Sequence, residues 1–275
     1  MKEALIFLHI PKTGGTSLHA VLDKQYRRGR VVRVPGTESL AFVASLKDWP
    51  EAMRKEVVMV RGHLPFGLHQ VWPQGGRYVT LLRDPVERVI SDYYFVRRFE
   101  GHYLHKRVVA EGVDLEHYVC SGMNRETDNL QVRLLVRGGL GIAWDGLTEE
   151  HLAEAKANIE DWFVVAGVVE RFDEALWLMR RRLGWGMPWY IRRNVTGGRP
   201  QQDEIEAGVL ARIEARNKWD RLLYEWVRER FAAMVVAEGA GFERSFRWFQ
   251  RLNGAYGWGW EQARRGWYWV RGKRL

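Results

Sequence analysis

The chain has 275 residues, 46% hydrophobic and 28% charged, enough apolar content to build one sizeable core. Its formal charge of +9 calls for anionic partners, and its single cysteine, Cys120, excludes an intramolecular disulfide framework and fits a reducing compartment. No run approaches the ~20 apolar residues of a membrane span, and Met1-Lys2-Glu3 leads straight into an apolar segment without a leader pattern, so a cytoplasmic location is expected.

Residues 5–10, Leu-Ile-Phe-Leu-His-Ile, read as an apolar strand, followed by the turn Pro11-Lys12-Thr13-Gly14-Gly15-Thr16-Ser17 and a helix beginning at Leu18. A strand feeding a tight turn into a helix aims backbone N–H groups and the positive end of the helix dipole at one spot, where an anion can sit. Gly14 and Gly15 let the backbone approach that anion. Thr13, Thr16 and Ser17 offer hydroxyls, and Lys12 brings a mobile positive charge. In the common nucleoside triphosphate loop, G-x-x-x-x-G-K-[ST], the lysine follows the second glycine. Here it precedes the glycine pair.

Residues 57–67 form an apolar strand that breaks at Gly62 and exposes His63 in a Pro/Gly turn. Ligands of open α/β sheets bind at the carboxyl ends of strands, where His63 falls, and a neutral imidazole suits proton abstraction near neutral pH. His9, two residues before the turn, is the rival for that work, but its place on a strand gives it a structural reading. Residues 78–95 read as strand, cap and helix: Asp84 is an N-cap, Pro85 suits the first helical position, and Glu87 stands where a capping box needs it. Val86, Val89, Ile90 and Tyr93 supply the buried stripe. Arg83 and Ser91 are left without a structural role; an arginine fork matches a phosphate and a serine hydroxyl is a further donor, but their spacing alone does not bring the two to one phosphate.

Residues 127–135 read as a helix with Leu130, Leu134 and Leu135 inward and Asn129 and Arg133 outward; those last two serve equally as a solvated face or as a substrate lining. Residues 163–176 read as a late strand and a turn into a helix, mainly architectural. The basic loop at residues 192–200 is either a solvated face or a segment that closes over a ligand, its glycines permitting motion. Residues 203–236 read as one long or two shorter amphipathic helices, with Ile205, Val209, Ile213, Leu222, Leu223, Trp226 and Val227 toward the core. After about residue 240 aromatics alternate with arginines. Such a tail suits a membrane interface or sugar stacking, and the simpler expectation is that residues 241–275 pack their tryptophans on a domain formed by residues 1–240.

Two of these segments, Pro11 to Ser17 and Arg83-Asp84-Pro85 with Ser91, resemble the phosphate sites of sulfotransferases, in the group of the heparan and uronyl 2-O-sulfotransferases and their bacterial counterparts. The segment Asp128-Asn129-Leu130-Gln131-Val132-Arg133 resembles a motif of the bacterial members, with Val132 where a threonine is usual. The resemblance implies a three-layer α/β fold of the P-loop type, with a central parallel sheet flanked by helices. It also implies 3′-phosphoadenosine 5′-phosphosulfate as donor, 3′-phosphoadenosine 5′-phosphate (PAP) as product, and no metal. Lys12, Thr13, Gly14, Gly15, Thr16 and Ser17 would hold the 5′-phosphosulfate, Arg83 and Ser91 the 3′-phosphate. His63 would be the base and Lys12 the catalytic cation, with Asn129 and Arg133 as substrate candidates. The acceptor implied is a carbohydrate hydroxyl, with an acidic glycan answering the positive charge. The scattered basic residues and the absence of a recognition motif argue against nucleic acid. Animal members of the group are usually Golgi-anchored, so a chain without a leader fits a bacterial cytoplasmic form. A P-loop kinase is the first alternative, and a non-catalytic nucleotide- or glycan-binding protein the second.

Overall fold

The computed structural model describes residues 3–34, 39–191, 200 and 202–270. Five strands, β1 (Ala4–Leu8), β2 (Arg30–Arg33), β3 (Val57–Gly62), β4 (Gly76–Leu82) and β5 (Phe163–Val168), form one sheet in the order β2-β3-β1-β4-β5. Every pairing is parallel. β1 is buried along its whole length, the reason its sequence is an unbroken apolar run without alternation. The helices in chain order are α1 (Gly15–Gln25), α2 (Ser39–Ser45), α3 (Glu51–Lys55), α4 (Pro85–Arg98), α5 (His105–Ala110) and α6 (Leu115–Cys120). They continue with α7 (Leu130–Leu135), α8 (Glu149–Trp162), α9 (Phe172–Leu183), α10 (Ala207–Arg216), α11 (Lys218–Ala237) and α12 (Ala240–Val270). This is the expected central parallel sheet flanked by helices.

Because β1, β3 and β4 run parallel, their carboxyl ends share one edge. Leu8 pairs with Gly62, and the His9 N–H donates to the Gly62 carbonyl at 3.0 Å, so His9 and His63 emerge side by side. Gly62 is required there: its φ is +149°, and a Cβ would stand 2.6 Å from the Val34 carbonyl oxygen. The main core lies on the sheet, and a second cluster joins α4, α5 and α6 to Ile213 of α10.

Several expectations are corrected. α1 starts at Gly15, not Leu18, because Gly14 at φ +77° turns the chain into the helix three residues earlier. Residues 203–236 give two helices, α10 and α11; Ile213, Leu223 and Val227 are buried, whereas Leu222 is 45% exposed. In α12 the phenylalanines go inward: Phe242 and Phe249 are buried, with Phe249 stacked on Trp177. Trp248 and Trp258, expected to pack, are 53% and 67% exposed. Among the described residues no helix is long and apolar enough to cross a membrane. The basic loop lies outside the described residues except for Pro200.

Candidate active site

A cavity of about 2090 Å³ opens at the carboxyl edge of the sheet. Its walls include Lys12, Gly14, Gly15, Thr16 and Ser17 of the turn, His9 and His63, and Arg83, Glu87 and Ser91 at the start of α4. Small-molecule pockets commonly hold ~300–1,000 Å³, so this one has room for a nucleotide and a second molecule.

The turn is built by local strain and two anchors. Lys12 has φ +68°, a left-handed conformation unusual for a side-chain-bearing residue. The Arg83 Nη1 donates to the Lys12 carbonyl at 3.2 Å and ties the strained peptide to the end of β4. Thr13 departs from the expected anion-facing role of its hydroxyl. It is buried, is not part of the cavity wall, and its Oγ1 donates to the Ile10 carbonyl at 2.8 Å, closing the turn. The Lys12 Nζ sits 3.9 Å from the centroid of the Phe95 ring. Burial lowers the Lys12 pKa to about 8; Asp92 opposes that shift and Arg83 adds to it.

Arg83 is held from three sides. The Gln131 side chain clamps its backbone, accepting from the Arg83 N–H at 3.0 Å and donating to its carbonyl at 2.9 Å. Its Nη2 donates to Glu87 Oε2 at 3.1 Å. Glu87 therefore does not complete a capping box. The Asp84 N–H donates to Glu170 Oε1 instead, while Asp84 Oδ1 accepts from the Val86 and Glu87 N–H groups. Ser91 is buried on the next turns of α4, its residue on the same cavity wall as Arg83. Glu170 to Glu174 also line the cavity, so the segment read as architectural bounds the site as well.

His63 stacks on His9 with ring centroids 4.4 Å apart and planes at 27°. Its Nδ1 lies 3.1 Å from the His9 carbonyl oxygen, which can only accept, so Nδ1 carries the proton and Nε2 holds the lone pair. Burial lowers the His63 pKa; the His9 carbonyl opposes this and Lys12 reinforces it.

The substrate candidates of α7 are corrected from outward to buried. Asn129 is 3% exposed and does not line the cavity. Its Oδ1 accepts from the Trp219 and Asp220 N–H groups at 2.9 and 3.1 Å, capping α11. Asp220 returns the cap, accepting from the Gln131 and Val132 N–H groups at the start of α7. Arg133 touches the cavity wall, but its guanidinium pairs with Asp128 and donates to the carbonyls of Asp128, Gly139, Ile142 and Ala143. The residue overlooked in this segment is Gln131; its place two before Arg133 in the Asp128–Arg133 motif was the available signal.

A family model described as "Galactose-3-O-sulfotransferase" matches residues 2–255. The chain belongs to the galactose-3-O-sulfotransferase family. It is 24% identical to galactose-3-O-sulfotransferase 3 of Bos taurus over 88% of this chain and 60% of the relative. It is 24% identical to heparan-sulfate 6-O-sulfotransferase 2 of Danio rerio, covering 83% of this chain and 58% of the relative. Against heparan sulfate 2-O-sulfotransferase 1 of Gallus gallus the identity is 25%, over 65% of this chain and 54% of the relative. The chain thus spans 54% to 60% of the length of these relatives. The expected membership in the sulfotransferases holds, and the matching family model is that of the galactose-3-O-sulfotransferases.

Proposed function

We propose that this chain transfers a sulfuryl group from 3′-phosphoadenosine 5′-phosphosulfate to a hydroxyl of a carbohydrate acceptor. The observation that carries this is the convergence of the Lys12 turn, Arg83, Ser91 and His63 on one cavity large enough for donor and acceptor. The turn and the N-terminus of α1 hold the 5′-phosphosulfate; Arg83 and Ser91 hold the 3′-phosphate. The acceptor oxygen forms a bond to sulfur as the bond from sulfur to the 5′-phosphate oxygen breaks. The electron pair leaves with the phosphate, and the acceptor proton passes to His63 Nε2. Lys12 and the helix N–H groups gain strength as charge grows on the leaving phosphate. The relatives' names, galactose and heparan sulfate O-sulfotransferases, support a glycan acceptor.

The tail adds a partner to this reading. Arg244, Arg247 and Arg251 are exposed on α12 alongside Trp248 and Trp258, a set suited to an anionic membrane surface, where indoles sit at the interface and cations meet headgroups.

Transfer of label from sulfur-labelled donor to a panel of galactose- and uronate-containing glycans tests the activity. His63→Ala should lower kcat by ~10²–10⁴ and leave PAP affinity unchanged. Unchanged transfer by that variant would remove His63 from the chemistry.

A further inference from the structure

His9 stands one residue beyond the end of β1, at the edge of the sheet and not within the strand as expected, and its hydrogen bonds give it a role of its own. Asp23 accepts two bonds from Arg61 Nη2, at 3.0 and 2.9 Å. Arg61 Nη1 stands 2.7 Å from His19 Nδ1. A guanidinium only donates, so His19 Nδ1 is the acceptor and the neutral ring carries its proton on Nε2. That Nε2 lies 3.2 Å from His9 Nδ1 and donates to it. His9 Nδ1 is thereby an acceptor, and the His9 proton is on Nε2. Burial, then Arg61 and His63, lower the His19 pKa to about 4, with Asp23 opposing. His9 is held well below the usual histidine range by burial, then by His63, His19, Lys12 and Arg61. Both rings stay neutral at working pH, and the direction of the relay is fixed.

The His9 Nε2 faces the anion cradle. A Cβ placed on Gly15, the first residue of α1, would stand 1.8 Å from this nitrogen, so the ring edge occupies the space a side chain would fill. His9 also lines the cavity beside Gly15 and His63. His63, stacked on it, has the reverse arrangement, with its proton on Nδ1 and its lone pair on Nε2.

We infer that His9 is a neutral hydrogen-bond donor to the phosphosulfate group, locked by Asp23, Arg61 and His19 in the tautomer opposite to that of His63. The two stacked rings divide the work. His63 receives the acceptor's proton, and His9 donates to the oxygens that gain charge on the donor side. The identity of the ligand rests on the sulfotransferase reading; the tautomers do not.

Long-range proton–nitrogen correlation spectra of the imidazoles in nitrogen-15-labelled wild-type protein at pH 7, followed through a titration with PAP, test this without requiring any variant to fold. His9 should show an Nε2–H tautomer and His63 an Nδ1–H tautomer, and the His9 Nε2–H should move on PAP addition. An Nδ1–H or averaged His9 overturns the relay, and a His9 signal that stays still while the amides of the turn shift overturns the donor role. A titration in which nothing shifts contradicts the sulfotransferase reading instead, while the tautomers of the ligand-free protein still decide the relay. In the transfer assay, His9→Leu should lose ~10²–10³ in kcat, the cost of one oxyanion donor. His9→Gln, which keeps an N–H in that region, should recover most of it. Equal losses in the two variants would leave His9 a packing residue.

Discussion

His63 must be neutral to act and Lys12 must be charged, and the pH dependence follows from these opposite requirements. A base must be neutral, so His63 works above its lowered pKa, and the rising limb of kcat/KM lies below the ordinary histidine value of 6.5. Lys12 must be charged, so activity of the free enzyme falls as pH rises through about 8. In Lys12→Arg the falling limb should vanish, because a guanidinium stays charged. A wild-type profile that is flat to pH 10 would contradict the depressed Lys12. Gly15→Ala puts a methyl into the His9 ring and should cost ~1–3 kcal/mol of stability through overpacking, read by thermal unfolding, with transfer lost as well. The turn, Arg83, Ser91 and His63, which the fold brings to one cavity, could be picked out in the sequence as candidates because each belongs to a short segment with its own local chemistry. The His9 relay could not. His19 and Asp23 come from α1 and Arg61 from β3; the turn that folds α1 back beside β1 and the parallel register of β1 and β3 together bring them to His9.

At the scale of elements, the exchange of caps between α7 and α11 decides what Asn129 does. Its amide satisfies two helix-end N–H groups in the interior, at ~1 kcal/mol per cap. Asn129→Ala should therefore lower Tm by ~4–8 °C, from ~2 kcal/mol in a chain of this size, and leave the acceptor KM unchanged. A raised acceptor KM at unchanged Tm would return Asn129 to the substrate site. Helical spacing in the sequence announced α4, α10 and α11. It misplaced Asn129 and Arg133, because polar residues read as outward, and the partners that allow their burial lie mainly in other elements or loops.

Across the whole molecule, the apolar runs at residues 5–10, 57–60, 78–82 and 163–168 announced four of the five strands, and the sulfotransferase resemblance supplied the expectation that they form one parallel sheet. The edge strand β2 escaped, since Arg-Val-Val-Arg is short and mostly open to solvent. Residues 241–275 hold eight arginines and lysines against two glutamates, so most of the chain's net positive charge gathers in its last eighth. Co-sedimentation with phosphatidylserine-containing vesicles should show salt-sensitive binding, lost when Arg244, Arg247 and Arg251 are changed to Glu and absent with neutral vesicles. Binding that persists in that triple variant would remove α12 from the membrane reading. The central claim is a site that reads the 3′-phosphate of a phosphosulfate donor. Calorimetric titration of the wild type and Arg83→Ala with PAP, with ATP and 5′-AMP as controls, tests it most directly. The account predicts binding that requires the 3′-phosphate and weakens about 10- to 100-fold in Arg83→Ala, the loss of a charged hydrogen bond. Equal or tighter binding of ATP, or indifference to Arg83, would contradict it.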